Sequence, residues 1–255
     1  MRGTYLVTQP LSDICVITPI VPTEARPDTK RLYEEAAPAG FRVRVVGLDR
    51  GPTSIESEYE ESLAVPDVLC KARQAESSGC AAIVISCMLD PGLAAARETI
   101  SVPVVGPGHV AMHMAALLGS SFSIVTVTDS LVAPLWRRAA LYGLEHRLAS
   151  VRSIQMPVLA LREHRHQALE RLADLSFRTI QDDGASVVVL GCTGMAGMAH
   201  ATEIELQRRQ CRVPVIDPTL TAIQVAAALV NARLTHSPIA FPRPPTKAVI
   251  GYDWI

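Results

Sequence analysis

Two segments of nine residues in this chain of 255 residues share one pattern, and this repeat limits the folds that are possible. Residues 79–87 read GCAAIVISC, and residues 184–192 read GASVVVLGC. In each copy a glycine precedes a short apolar run, and a cysteine follows the run. Such runs are typical of buried strands in parallel sheets. One long-period repeat is too few for a solenoid, so we predict two similar lobes.

The elements around the two copies follow the same order. Strands, helices and breaks at glycine or proline alternate in both halves, which is the pattern of a parallel sheet with helices on both faces. The predicted strands are 14–18, 42–48, 82–86 and 102–105 in the first half, and 123–127 and 151–155 in the second. Segments 184–192 and 213–218 of the second half align with segments 79–87 and 102–107 of the first, which contain its third and fourth strands. The predicted helices are 62–78, 109–118, 166–181 and 220–230.

These alternations predict an α/β fold with two pseudo-symmetric lobes, each a mainly parallel sheet flanked by helices. We place lobe 1 at residues 13–120 and expect the C-terminal helix 218–233 to join it. Lobe 2 covers residues 121–217. Residues 1–12 and the proline-rich stretch 238–255 are predicted to be tails.

Composition excludes several classes of function. The formal net charge is -1, and charged residues make up 19% of the chain, so no basic surface for nucleic acid or membrane is predicted. Neither an export signal nor an apolar run long enough to span a bilayer is visible. We therefore expect a cytoplasmic protein whose partner is a small molecule. The six cysteines show no disulfide framework and no metal-ligand spacing, so no metal is predicted.

Two of these cysteines, Cys87 and Cys192, occupy the matched position of the repeat. Ligands of open parallel sheets bind beyond the carboxyl ends of the strands. If the lobes face each other, one thiol would reach a shared cleft from each side. Both cysteines precede turn-forming residues, and backbone N–H groups there would lower a thiol pKa from about 8.5 towards neutrality.

Two opposed thiols suit the inversion of a carbon acid next to a carbonyl. One thiolate removes the proton from one face, and the other thiol returns a proton to the opposite face. N–H groups around Thr193 and Gly194 could stabilise the enolate, so no cofactor is required. Segment 51–56, which contains Ser54 and Ile55, would lie at the same sheet edge as Cys87.

Several segments resemble the hydantoin/allantoin racemase branch of the aspartate/glutamate racemase superfamily. The likeness covers about residues 13–232, and two of its segments contain Cys87 and Cys192. The matching segments are GPTSIE at 51–56, LAVP at 63–66, CMLDPGL at 87–93, MHMAALLG at 112–119, YGLEHR at 142–147 and VLGCTGM at 189–195.

The resemblance implies cofactor-free racemisation by Cys87 and Cys192, a 5-substituted hydantoin or related amino-acid derivative as substrate, and a homo-oligomer. The family's first strand commonly ends in Asn-Pro-Asn, whereas this chain has Thr18, Pro19 and Ile20. Together with apolar residues after Cys87, this departure favours a more apolar substrate. The predicted substrate-binding residues are Thr18, Pro19, Ile20, Ser54, Ile55, Met88, Leu89, Thr193 and Gly194.

Three alternatives remain open at this point. The chain could be a maleate-type cis–trans isomerase, in which one cysteine acts as a nucleophile. It could be a malonate-type decarboxylase, which needs only one of the two cysteines. It could also be a small-molecule-binding relative that keeps the fold without turnover.

Overall fold

The computed structural model describes residues 11–23 and 27–252, which form two parallel sheets of four strands with helices packed on them. This confirms the predicted α/β fold. The strands of the first sheet are β1 (Ser12–Thr18), β2 (Phe41–Gly47), β3 (Ala82–Ile85) and β4 (Val104–Val105). Those of the second sheet are β5 (Phe122–Thr126), β6 (Leu148–Ser153), β7 (Val187–Leu190) and β8 (Val215–Ile216).

The two sheets have the same topology. The strand order is β2-β1-β3-β4 in the first and β6-β5-β7-β8 in the second. The residues of β3 and β7 are all buried, because these continuous apolar runs lie inside the sheets and are covered on both faces. In each sheet the order in which strands are added switches sides between the first strand and the third, and α/β sheets open a binding crevice at such a switch point.

Eight helices are described, and the four predicted from the apolar periodicity are present. The helices are α1 (Pro27–Glu35), α2 (Glu58–Ser77), α3 (Leu93–Thr99), α4 (Pro107–Leu118), α5 (Val132–Leu141), α6 (Arg165–Gln181), α7 (Ala199–Arg208) and α8 (Pro218–Asn231). Helix α2 begins four residues before the predicted start, since the Ser57 side chain accepts the Glu60 N–H as an N-cap. None of the described helices combines the length and apolar character needed to cross a bilayer.

The last helix of each half packs on the sheet of the other half. Helix α8 contacts β1, β3 and β4 of the first sheet, and its Ala222 and Ile223 lie in one buried cluster with Ile14 and Val84. Helix α4 instead contacts β5 and β7 of the second sheet. Helix α4 lies within residues 13–120 but packs on the second sheet. The division into residues 13–120 with 218–233 and residues 121–217 stays a proposal.

The two ends of the described chain differ from each other, since the C-terminal end is irregular and the N-terminal end begins a strand. Residues 238–252 contain no strand or helix beyond turns, and the rest of the proposed C-terminal tail lies outside the described residues. Ser12, which we predicted to lie in the N-terminal tail, is the first residue of β1 and pairs with Phe41. The apolar pattern missed it because its side chain is polar, while its main chain already belongs to the ladder.

Two ion pairs join helix α2 to helix α5 across the lobes. Arg138 and Glu61 lie 2.7 Å apart, with 20% and 12% of their side chains exposed. Arg137 and Glu58 are also 2.7 Å apart, but 58% and 52% of these side chains are exposed. Burial raises the pKa of Glu61, and the neighbouring charge of Arg138 opposes that rise. The inner pair therefore contributes more than the outer pair, which water screens.

Replacing Arg138 by Met should lower the free energy of unfolding by about 2 kcal/mol, because Glu61 would stay in a partly dry site without its counter-charge. The matched replacement Arg137→Met should change it by less than about 0.5 kcal/mol. Urea unfolding followed by circular dichroism would measure both values. Equal losses for the two variants would contradict the difference in burial.

Candidate functional site

Cys87 and Cys192 lie at equivalent places in the two sheets. Cys87 comes two residues after the end of β3, and Cys192 comes two residues after the end of β7. Both thiols line one cavity of about 970 Å³ that opens beyond the carboxyl ends of the strands. Each of these two cysteine residues is partly exposed. The cavity therefore presents two thiols from two different lobes.

Burial dominates the electrostatics of Cys87. Loss of solvent raises the pKa of this thiol well above its ordinary value, and a hydrogen bond from the Leu89 backbone opposes the rise. The nearby charges of Cys192 and Asp90 raise the pKa further. Our expectation of a pKa near neutrality is therefore wrong for Cys87. Helix α3 begins at Leu93, six residues after Cys87.

The surroundings of Cys192 are different. The backbone N–H of Gly194 donates to Cys192 Sγ at 3.3 Å, within the 3₁₀ turn Thr193–Met195. Gly191, directly before the cysteine, is held against β5, and a Cβ there would lie 2.6 Å from Thr126 Cβ. Glycine is thus required for the end of β7 to approach β5 so closely. Cys192 is fixed by strand packing before it and by a turn after it.

A buried carboxylate holds the loop that follows Cys87. Asp90 accepts hydrogen bonds from the backbone N–H groups of Gly108 and His109 at 3.0 and 2.7 Å, and from the Tyr142 hydroxyl at 2.5 Å. Burial raises the pKa of Asp90 to about 6, although these hydrogen bonds oppose the rise. A Cβ at Gly108 would lie 2.2 Å from the Met88 carbonyl oxygen. The loop therefore rests directly on the N-terminus of α4.

The second lobe uses a carboxylate from the helix side instead. Asp217 caps α8 by accepting the Leu220 N–H at 3.2 Å, and it accepts the Gly197 N–H at 2.8 Å. Gly197 ends the loop that follows Cys192 and also lines the cavity. In each half, an aspartate thus joins the cysteine loop to the start of the last helix of that half, α4 or α8.

All the residues that we predicted for the site line this one cavity. They are Cys87, Cys192, Thr18, Pro19, Ile20, Ser54, Ile55, Met88, Leu89, Thr193 and Gly194. Some of their polar groups are already engaged by protein. The Thr18 hydroxyl donates to the Val46 carbonyl, and the Thr193 hydroxyl donates to the Ser86 carbonyl. Whether each residue contacts a substrate stays a prediction.

One proposed enolate donor is engaged as well. We expected the N–H groups around Thr193 and Gly194 to stabilise the negatively charged oxygen of an enolate. The Gly194 N–H points instead at the sulfur of Cys192. As placed, it stabilises a thiolate, because a backbone N–H favours the charged form of the group it contacts.

The cavity walls are largely apolar. Side chains from both lobes contribute, and Ile55, Met88 and Leu89 are buried in the core as well as lining the cavity. The second lobe adds Leu131, Leu135, Val158 and Leu161. Such walls accept an apolar group and leave its polar recognition to a few groups near the thiols.

Sequence reasoning missed two residues beside the thiols. Tyr33 of α1 is 1% exposed and lines the cavity, and its hydroxyl lies 3.3 Å from that of Ser86. Burial raises the pKa of Tyr33 to about 12, so it is a neutral hydroxyl at physiological pH. Helix α1 has only Leu32 and Tyr33 as large apolar residues, and this gave no helical period to detect.

The rim of the cavity is basic on the side of the second lobe. Arg162 and Arg165 line it, and both are exposed. Within the part of the chain that the structure describes, no group of three His, Cys, Asp or Glu side chains could hold a metal ion. The polar side chains that line the cavity beside the ends of the first strand and of the strands before the two cysteines are the thiols of Cys87 and Cys192 and the hydroxyls of Thr18, Ser86 and Thr193.

Comparison with known proteins gives consistent results. Residues 23–226 match the model of a family described as Asp/Glu/Hydantoin racemase. The chain is 32% identical over 239 residues to a hydantoin racemase of Pseudomonas sp. (strain NS671), covering 93% of this chain and 94% of that one. It is 37% identical over 205 residues to a hydantoin racemase of Rhizobium meliloti, covering 79% and 82%.

A solved structure agrees over nearly the whole length. Allantoin racemase from Klebsiella pneumoniae superposes with a TM-score of 0.88 at 33% identity, covering 94% of this chain and 96% of that one. The arrangement of two parallel sheets is therefore shared with an enzyme of known structure.

The raised pKa of Cys87 predicts slow alkylation at neutral pH. Iodoacetamide reacts with the thiolate, so the rate at Cys87 should rise about tenfold per pH unit from pH 7 to 9. Peptide mass spectrometry on the Cys192→Ser variant would measure it without competition inside the cavity. A free cysteine peptide, with a pKa of about 8.5, should level off earlier. A plateau below pH 8 at Cys87 would contradict the effect of burial.

Proposed function

The chain belongs to the Asp/Glu/hydantoin racemase family and is an isomerase of the racemase class, and we propose that it inverts a carbon next to a carbonyl with Cys87 and Cys192 as alternating base and acid. One observation carries this proposal: the two thiols come from equivalent strand ends and line the same cavity. A planar intermediate between them would meet one thiol on each face.

The proposed reaction moves two protons and changes no oxidation state. In one direction, the Cys192 thiolate takes the proton from the carbon and leaves its electron pair on an enolate. The Cys87 thiol then donates its proton to the opposite face and becomes the thiolate. The raised pKa of Cys87 keeps this thiol protonated at rest, which suits the donor role. The reverse direction exchanges the two roles.

We propose a hydantoin with an apolar substituent at position 5 as substrate. The apolar walls support this choice, since Ile20, Met88 and Leu89 come from the first lobe and Val158 and Leu161 from the second. Burying one such substituent contributes about 1.5–3 kcal/mol of binding free energy. A strongly polar substituent would lose its water without enough partners on these walls.

We also propose that the substrate is a small molecule, that the protein is cytoplasmic, and that the chain forms a homo-oligomer, as the family resemblance implies. The competing chemistries, maleate-type isomerisation and malonate-type decarboxylation, would each use one thiol. They leave the second thiol at the cavity without a role, so we favour racemisation.

Replacing either Cys87 or Cys192 by Ser should lower racemisation of 5-benzylhydantoin by at least about 10³-fold, because a hydroxyl is far less acidic than a thiol and cannot replace it as base. Deuterium incorporation from heavy water, followed by NMR, and loss of optical rotation would give the two readouts. Cys211→Ser, at a partly exposed cysteine outside the cavity, serves as the matched control.

Several outcomes would oppose two-base racemisation. Full activity in one of the two variants would leave a single-cysteine reaction. A trapped covalent adduct without solvent exchange would favour the nucleophilic mechanism. Binding of hydantoins without any exchange at the carbon would indicate a binding protein.

Substitution of Ile20 by Asn should shift substrate preference towards polar substituents. The value of kcat/KM for 5-isobutylhydantoin should fall about tenfold, the usual effect of disturbing one apolar contact, relative to the value for allantoin. Ile20→Val should leave the ratio nearly constant, because it keeps the wall apolar. An unchanged ratio in the Asn variant would place the substituent elsewhere in the cavity.

A further inference from the structure

We infer that the hydrogen bond between Thr193 and Ser86 sets the spacing of the two thiols, so that both are positioning residues for inversion. The inference rests on the proposed function and concerns how the two cysteines are kept in register. Thr193 directly follows Cys192, and Ser86 directly precedes Cys87. The hydroxyl of Thr193 donates to the carbonyl oxygen of Ser86 at 3.0 Å.

This hydrogen bond joins the two lobes at the residues that adjoin the two cysteines. It joins residues 107 positions apart in the chain, one in each lobe. Neighbouring Cα atoms are only 3.8 Å apart, so a shift at either end of the bond moves the adjacent cysteine with it. Other cross-lobe bonds, such as those from Ser130 and Val158 to Glu56, join residues that are not next to either cysteine in the chain.

The Ser86 end of this hydrogen bond is firmly fixed. Its N–H donates to the Ile17 carbonyl at 2.7 Å, and its hydroxyl lies 3.0 Å from that of Thr219 and 3.3 Å from that of Tyr33. Ser86 is 3% exposed, Tyr33 1% and Thr219 0%. Three elements therefore hold Ser86: strand β1, helix α1 and helix α8.

The Thr193 end is the adjustable one. Thr193 opens a 3₁₀ turn and is partly exposed, while Gly194 beside it is exposed. The hydrogen bond to Ser86 thus ties the partly exposed start of this turn to a rigid point of the first lobe. Loss of this bond would remove the direct link between the residue after Cys192 and the residue before Cys87, while leaving the first lobe intact.

Inversion depends on this spacing more steeply than exchange does. Removal of the proton needs one sulfur in place, whereas inversion needs both sulfurs within reach of the same carbon. Reacting atoms must lie about 3–3.5 Å apart, so a loosened turn delays delivery from the opposite face. In heavy water, the first thiol meanwhile exchanges the abstracted proton for a deuteron and returns that deuteron to the same face. The carbon becomes deuterated with retention of configuration.

Thr193→Val removes the hydroxyl with almost the same shape, and Thr193→Ser keeps a hydroxyl. In heavy water with one enantiomer of 5-benzylhydantoin, we expect the ratio of retained, deuterated substrate to inverted product to rise at least about tenfold in the Val variant. The Ser variant should restore a ratio within about twofold of the wild-type value. NMR and chiral chromatography at early times give both numbers, after subtraction of the enzyme-free rate.

A second variant guards against a folding defect. Ser86→Ala keeps the carbonyl acceptor but removes the hydroxyl that meets Tyr33 and Thr219, so the ratio should rise in the same direction and by less. Thermal unfolding confirms that each variant is folded under the assay conditions. A folded Val variant with the wild-type ratio overturns the inference.

Two other results can be told apart from this one. If the Thr193 hydroxyl binds substrate, the Val variant raises KM and leaves the ratio unchanged, which also overturns the inference. If the wild-type protein neither exchanges nor inverts the substrate, the proposed function itself fails. The proposed function and the inference are both supported if the wild-type protein exchanges and inverts the substrate and if the ratio shifts in Thr193→Val but not in Thr193→Ser.

Discussion

The ends of β3 and β7 meet, and the rest of the site depends on that meeting. Parallel strands deliver their carboxyl ends to one edge of each sheet, and the two edges face a common cavity. A hydroxyl-to-carbonyl hydrogen bond closes the gap between the residues beside Cys87 and Cys192. Gly191, before Cys192, packs tightly on Thr126, and Gly108 packs tightly on the carbonyl of Met88, which follows Cys87. These contacts leave little freedom for the backbone beside either thiol.

The two thiols are unequal although their positions are equivalent. Cys87 is short of solvent and lies near another acidic group, Asp90, so its proton is held tightly. Cys192 receives an N–H from the turn that follows it. A racemase must run in both directions, and the bound substrate would have to lessen this inequality. Under the proposed mechanism, a substrate bound between the sulfurs would do so by changing the solvation of Cys87.

Much of the fold could be predicted from the sequence, because buried strands and long amphipathic helices leave strong patterns. The matched glycine and cysteine of the repeat also led to the thiol pair. The C-terminal helix was expected to join the first lobe, and α8 packs on the first sheet, but the packing of α4 on the second sheet could not be predicted, since periodicity shows that a helix has an apolar face but not which sheet covers it. Tyr33 escaped notice for a related reason: a short helix with few apolar residues has no clear period. The raised pKa of Cys87 depends on burial, which spacing does not reveal.

The packing of α8 on the first sheet has a consequence for the order of assembly during synthesis. Residues 12–105 supply all the strands of that sheet, yet the apolar face around Ile14 and Val84 receives part of its cover only when Pro218–Asn231 has been made. The nascent first half therefore emerges from the ribosome with an uncovered apolar surface. Folding cannot finish half by half, and the last helix to be translated completes the part of the molecule that was begun first.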